Sequence, residues 1–111
     1  MPRTQRIALA NYPHHIVQRG HNREPCFFAK ADFLAYLGWL DDALHDTDCA
    51  LHAYVLMTNH MHLLLTPEFA EGPSLLMKFL GQRYVQYVNR TYRRRGTIGT
   101  DPIEIGVLST I

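Results

Sequence analysis

From His60 to Thr66 the chain alternates: Met61, Leu63 and Leu65 take one parity, while His60 and His62 share the other. Successive side chains of a strand point to opposite faces, so this spacing predicts a strand that buries three apolar residues and presents two imidazoles together. Leu51 to Met57, carrying Tyr54, Val55 and Leu56, reads as a second strand beside it. Thr58-Asn59 then makes the tight connection of a hairpin. An earlier strand, His14 to Arg19, closes at the turn-type cluster Gly20-His21-Asn22. Pro25 to Phe28 reads as a short extended piece.

Two segments carry helical spacing instead. Asp32 reads as an N-cap, followed by Phe33, Leu34, Leu37, Leu40 and Leu44, with Asp41 and Asp42 outside and an end near Asp46. After a loop from Pro67 to Pro73, Ser74 reads as the cap of a helix from Leu75 to about Tyr92. Its apolar Leu75, Leu76, Phe79, Leu80, Val85 and Val88 are interleaved with Lys78, Arg83 and Arg90. The order β-α-β-β-α predicts an α+β, ferredoxin-like sandwich: an antiparallel sheet with helices on one face. Beyond Gly96 the pattern fades into turn-rich residues and a tail, 103–111, with one possible short strand that completes no obvious element.

Composition sets bounds on this picture. The chain has 111 residues, 47% of them hydrophobic, which suits one domain with an ordinary core. No apolar run long enough to span a bilayer and no signal-type segment stands out, so a soluble, cytoplasmic protein with no membrane partner is expected. Cys26 and Cys49 read as plain thiols rather than a disulfide framework or a Cys-based zinc site. The net charge of +1 selects no partner, but its distribution is uneven. No Lys or Arg occurs from Ala31 to Met77, whereas Lys78, Arg83, Arg90, Arg93, Arg94 and Arg95 follow without an acid between them. Arg3, Arg6, Arg19 and Arg23 form a smaller basic group at the start. Such segregation fits an anion-binding face, for which nucleic acid is the commonest partner, and equally fits a solvated basic helix end.

Three groups of residues could carry chemistry. His60 and His62 make half of a metal site; oxygen or amide ligands would complete it for Mg2+ or Mn2+ acting on phosphate, a third His for zinc. His52, on the neighbouring strand, is the zinc-completing candidate, and a zinc protein built on His52, His60 and His62 without nucleic acid is the alternative reading. His14 and His15 are adjacent and face opposite ways, so both cannot join one site. Tyr84, Tyr87 and Tyr92 lie among cations; their rings can pack, stack on unpaired bases, or serve as nucleophiles towards a phosphodiester. Lastly, Gln18 to Arg23 ends the first strand with Arg19, Asn22 and Arg23, side chains suited to base edges, around a glycine that permits close backbone approach.

Three stretches taken together resemble one family. Tyr12-Pro13-His14-His15-Ile16-Val17-Gln18-Arg19-Gly20-His21-Asn22-Arg23, then Val55-Leu56-Met57-Thr58-Asn59-His60-Met61-His62-Leu63-Leu64, then Gly81-Gln82-Arg83-Tyr84-Val85-Gln86-Tyr87-Val88-Asn89-Arg90 closely resemble the HUH single-strand tyrosine transposases, nearest to the REP-associated branch. The resemblance runs from about residue 3 to Thr97, with Thr58 where the branch commonly has proline. It implies a ferredoxin-like sandwich whose His60 and His62 bind Mg2+ or Mn2+ at the scissile phosphate of single-stranded or hairpin DNA. It also implies cleavage and rejoining through a phosphotyrosine, with Arg19, Asn22, Arg23, Lys78, Arg83, Arg90, Arg93, Arg94 and Arg95 holding the DNA.

The departure from the family is as specific as the match. There the arginine-rich segment leads through Gly-Thr-Leu-Trp and an Arg-Tyr pair to a further strand and a helix. That helix carries the nucleophilic tyrosine and, four residues later, an Asn or Gln for the metal. Here Gly96-Thr97-Ile98 begins the pattern, Gly99-Thr100-Asp101-Pro102 leaves it, and no tyrosine follows Tyr92. Four residues after Tyr84, Tyr87 and Tyr92 come Val88, Thr91 and Gly96, none of them a metal ligand. The expectation is a transposase-like domain over residues 1–97 and a diverged tail over 98–111, frameshifted or truncated. Such a chain would bind DNA with impaired catalysis, Tyr84 and Tyr87 being its candidate nucleophiles. A sheet edge left open by missing elements would invite pairing, so a monomer or a homodimer is expected.

Overall fold

The computed structural model describes residues 8–20, 24–92 and 104–107, the last as backbone only. The elements run β1 (His14–Arg19), α1 (Lys30–Asp46), β2 (Cys49–Met57), β3 (His60–Pro67), α2 (Gly72–Tyr92) and β4 (Glu104–Val107). The four strands form one sheet in the order β2-β3-β1-β4, every neighbouring pair antiparallel. This is the βαββαβ connectivity of a ferredoxin-like sandwich. The tail therefore does supply an element: β4 pairs with β1 through His14↔Val107 to Val17↔Glu104 and covers that edge.

The burial pattern follows the predicted parity. Met61, Leu63 and Leu65 of β3 and Ile16 of β1 are at most 5% exposed and pack with Tyr36 and Leu40 of α1 and Leu76, Leu80, Tyr84 and Val88 of α2. Both helices thus lie on one face of the sheet. A slip of β3 by one residue would expose Met61, Leu63 and Leu65, each worth roughly 1.5–3 kcal/mol when fully buried. That cost fixes the opposite face, where His60, His62, Leu64 and Thr66 sit half-buried. No helix among the described residues is long and apolar enough to cross a membrane.

Several boundaries differ from the sequence reading, each for a local reason. Helix α1 begins at Lys30, with Ala29 at the cap, so Asp32 is the third helical residue and not the N-cap. Alanine has no side-chain acceptor, and the Asp32 carboxylate does the capping from inside, accepting from the N–H groups of Phe28 (2.7 Å) and Ala29 (3.0 Å). Helix α2 begins at Gly72, before Ser74, because Pro73 fits a first turn and the Gly72 N–H already bonds to the Phe69 carbonyl. Pro25 to Phe28 joins no strand; the N–H groups of Cys26 and Phe27 converge on the Thr58 carbonyl at 2.7 and 3.3 Å.

Candidate metal and nucleic-acid site

Strand register assembles the face opposite the helices. On β3, His60 and His62 share a face, and their partners across β1 are Arg19 and Val17, with His15 opposite Leu64. Hence His15, Arg19, His60 and His62 occupy one side of two central strands. Gly20 continues from Arg19, and its N–H donates to the Asn59 carbonyl at 2.8 Å, which holds the end of β1 against the turn preceding His60. A side chain at Gly20 would collide with the Glu24 carbonyl, so only glycine permits this approach. Asn22 and Arg23 lie outside the described residues, as do Arg93, Arg94 and Arg95.

The two histidines meet edge to face, with ring centroids 4.9 Å apart and planes at 77°. His60 Nδ1 lies 2.9 Å from Asn59 Oδ1. Since that oxygen only accepts, Nδ1 carries the hydrogen and the ring lone pair falls on Nε2. His62 Nδ1 is engaged as well, 2.9 Å from His15 Nε2. Two imidazoles on one face, each with Nδ1 committed to a neighbour, form a donor pair that fits a divalent cation taken through Nε2.

His52 does not join them. It is exposed at a β-bulge between Leu51 and Ala53, and its Nε2 sits 2.7 Å from Thr66 Oγ1. Thr66 is six residues along β3 from His60, roughly 20 Å at strand rise. Among the described residues no group of three His, Cys, Asp or Glu side chains is arranged to hold a metal. The zinc triad of His52, His60 and His62 is therefore corrected: the bulge and the strand length keep its members apart. Cys26 and Cys49 are buried free thiols, and burial pushes Cys26 up to about 11, so it offers no thiolate near neutral pH. His14, facing away from His15, is a satisfied core histidine: Nε2 accepts from the Leu9 N–H and Nδ1 donates to the Tyr12 carbonyl.

The tyrosines of α2 turn inward. Tyr84 is 3% exposed, donates its hydroxyl to the Cys26 carbonyl at 2.6 Å and packs against Phe27 and Tyr36. Burial, then the nearby Asp32 carboxylate, holds its phenol protonated far above the ordinary tyrosine range. Tyr87 donates to Asp32 Oδ1 at 2.7 Å and meets Trp39, and Tyr92 donates to the same carboxylate and meets Phe28. The bond to Asp32 raises both phenols, Tyr92 to about 12. Asp32 itself is fully buried; burial alone would raise its pKa, but the bonds from Tyr87, Phe28, Tyr92 and Ala29 leave it below the ordinary value.

Lys78, Arg83 and Arg90 are exposed on the outer side of α2. They share the solvent stripe of that helix with Phe79 and Gln82, and the sheet lies between them and the histidines. The structure thus unites Arg19 with His60 and His62 but sets the helix cations on the other side. Two features escaped the sequence reading: the His15–His62 contact, which depends on the pairing of β1 with β3, and the Asp32–tyrosine cluster.

Residues 8–100 match the signature of the IS200-like transposases. The chain belongs to the IS200-like transposase family. Its fold is similar to that of a REP-associated tyrosine transposase solved bound to a REP hairpin, with a TM-score of 0.70 and 13% identity over 100% of this chain. The IS200-like chain spans 64% of the length of that protein. It is similar also to a Deinococcus radiodurans R1 protein described as a candidate transposase, with a TM-score of 0.71 and 16% identity over 98% of this chain and 87% of the other. No protein of curated function matches it significantly in sequence.

Proposed function

We propose that this IS200-like domain binds a divalent cation, Mg2+ or Mn2+, and the folded single-stranded end of a mobile element, and that its own tyrosines do not cleave that DNA efficiently. The observation that carries the reading is the donor pair His60 and His62 on the face of the sheet that also holds Arg19. A cation held there would draw electron density from a phosphodiester and make it more open to attack. Arg19, at the end of β1, is placed to hold a phosphate or a base edge beside His60, and the segment through Asn22 and Arg23 would continue that contact. Lys78, Arg83 and Arg90 would meet phosphates of a different part of the folded strand, reached around the edge of the domain. The hairpin carried by the similar REP-associated protein supports structured DNA as the ligand class.

The limited catalysis rests on the phenols. A tyrosine must lose its proton as it attacks phosphorus. Tyr84 is buried beneath Phe27 and Tyr36, and Tyr87 and Tyr92 are bonded to a carboxylate that opposes ionisation. A shifted reading frame is our reading of the departure from the family's pattern at Gly99, although residues 104–107 still pair with β1; the encoding DNA would overturn it if neither other frame spells the family's tryptophan and tyrosine-bearing helix.

The test is binding of a fluorescent REP-type hairpin with and without Mn2+. The expected result is affinity that rises with Mn2+ in the wild type and loses that rise in His60→Ala and His62→Ala. Affinity that ignores both Mn2+ and salt would overturn the reading.

A further inference from the structure

We infer that His15 is a positioning residue for metal capture: its Nε2 accepts a hydrogen bond from His62 Nδ1–H and so aims the His62 Nε2 lone pair at the cation. The inference rests on the reading of His60 and His62 as metal-binding. The contact is specific in geometry. The two nitrogens are 2.9 Å apart, the ring planes differ by only 8° and the centroids are 5.1 Å apart. Rings stacked face over face would bring the centroids closer than this and could not bring ring atoms within 2.9 Å. The imidazoles therefore lie edge to edge in nearly one plane, with the nitrogen lone pair of one directed at the N–H of the other.

The fold explains why these two rings meet although 47 residues separate them. β1 and β3 pair with His15 opposite Leu64 and Val17 opposite His62, so His15 and His62 are diagonal neighbours on one face. Two tautomers satisfy the contact, and they have different consequences. If His15 donates, the His62 hydrogen sits on Nε2 and blocks it as a ligand. If His62 donates from Nδ1, Nε2 holds the lone pair, which is the arrangement a metal selects. His60 already shows that arrangement, its Nδ1 facing Asn59 Oδ1 at 2.9 Å. The pair is thus built alike from two different backstops: an amide oxygen in the turn behind His60, and an imidazole across the sheet beside His62.

Mn2+ affinity, read from the loss of the free-ion signal in electron paramagnetic resonance, tests this in the intact chain without activity. His15→Ala should weaken Mn2+ binding about 10–100-fold, the usual effect of losing such a partner. His15→Gln, whose amide oxygen can accept from Nδ1–H, should restore most of it. Circular dichroism would establish that the variants fold. Independently of any variant, long-range 1H–15N spectra of the Mg2+-saturated wild type should show His62 protonated at Nδ1. Mn2+ affinity of His15→Ala within twofold of wild type, with His62→Ala abolishing binding, would overturn the role of His15 and leave the metal pair standing. His62 protonated at Nε2 in the Mg2+ form would do the same. A wild type that binds no Mn2+ would overturn both.

Discussion

Tyr87 donates its hydroxyl to the buried carboxylate of Asp32 at 2.7 Å, fastening the last third of α2 to the first turn of α1. Tyr92 reaches the same carboxylate, which also caps the Phe28 and Ala29 N–H groups. A buried charge is tolerated here because four donors satisfy it. The tyrosines of α2, candidate nucleophiles by sequence, here clamp the helical layer together.

Removing that acceptor should therefore be costly. Asp32→Ala leaves two phenols and two amides without their partner and should lower stability by about 3 kcal/mol or more in urea unfolding, with Asp32→Asn losing less. A loss below about 0.5 kcal/mol for Asp32→Ala would show that the cluster contributes little.

The same cluster sets the acid limit. The folded pKa of Asp32 is depressed, so its contribution is present above the unfolded value near ~3.9 and is lost as pH falls through the lower folded value. Urea midpoints of the wild type should fall in that window, and Asp32→Asn should flatten the fall. An unchanged acid limb in Asp32→Asn would contradict this.

The alkaline limit has the opposite sign. Tyr84, Tyr87 and Tyr92 have raised folded values, so their contribution is complete below the unfolded value near ~10 and is lost as pH rises beyond it, through about 12 for Tyr92. Tyr92→Phe should lessen the decline of urea midpoints between these values.

Separate basic faces predict separable effects on DNA. With about five cations on phosphates, the log–log salt slope for a single strand should be near ~−3.5, and replacing Lys78, Arg83 and Arg90 together should reduce it by about 2. Mn2+ affinity should not change in that triple variant. Arg19→Ala should instead relax sequence preference.

The strand parity of His60 to Leu65 could be read directly, because a period of two is a local property and one buried face enforces it. The hairpin and the end of α1 were legible for similar reasons. Three things were not. The neighbour of His62 depends on strand order, and no local pattern states that β1 lies beside β3. Asp32 fits a cap or a third helical position equally by sequence, and its phenol partners come from 55 and 60 residues away. β4 was expected only as one possible short strand in 103–111; at four residues with a glycine it is too short for alternation to show that it joins the sheet beside β1.

That the described tyrosines serve the fold and do not attack DNA held at the proposed His60–His62 cation site is tested by a denaturing gel. The protein is incubated with Mn2+ and a labelled REP-type hairpin carrying its single-stranded flank. No covalent protein–DNA adduct is expected from a protein that retains the hairpin under native conditions. An adduct that forms in the wild type and disappears in Tyr84→Phe or Tyr87→Phe would contradict it.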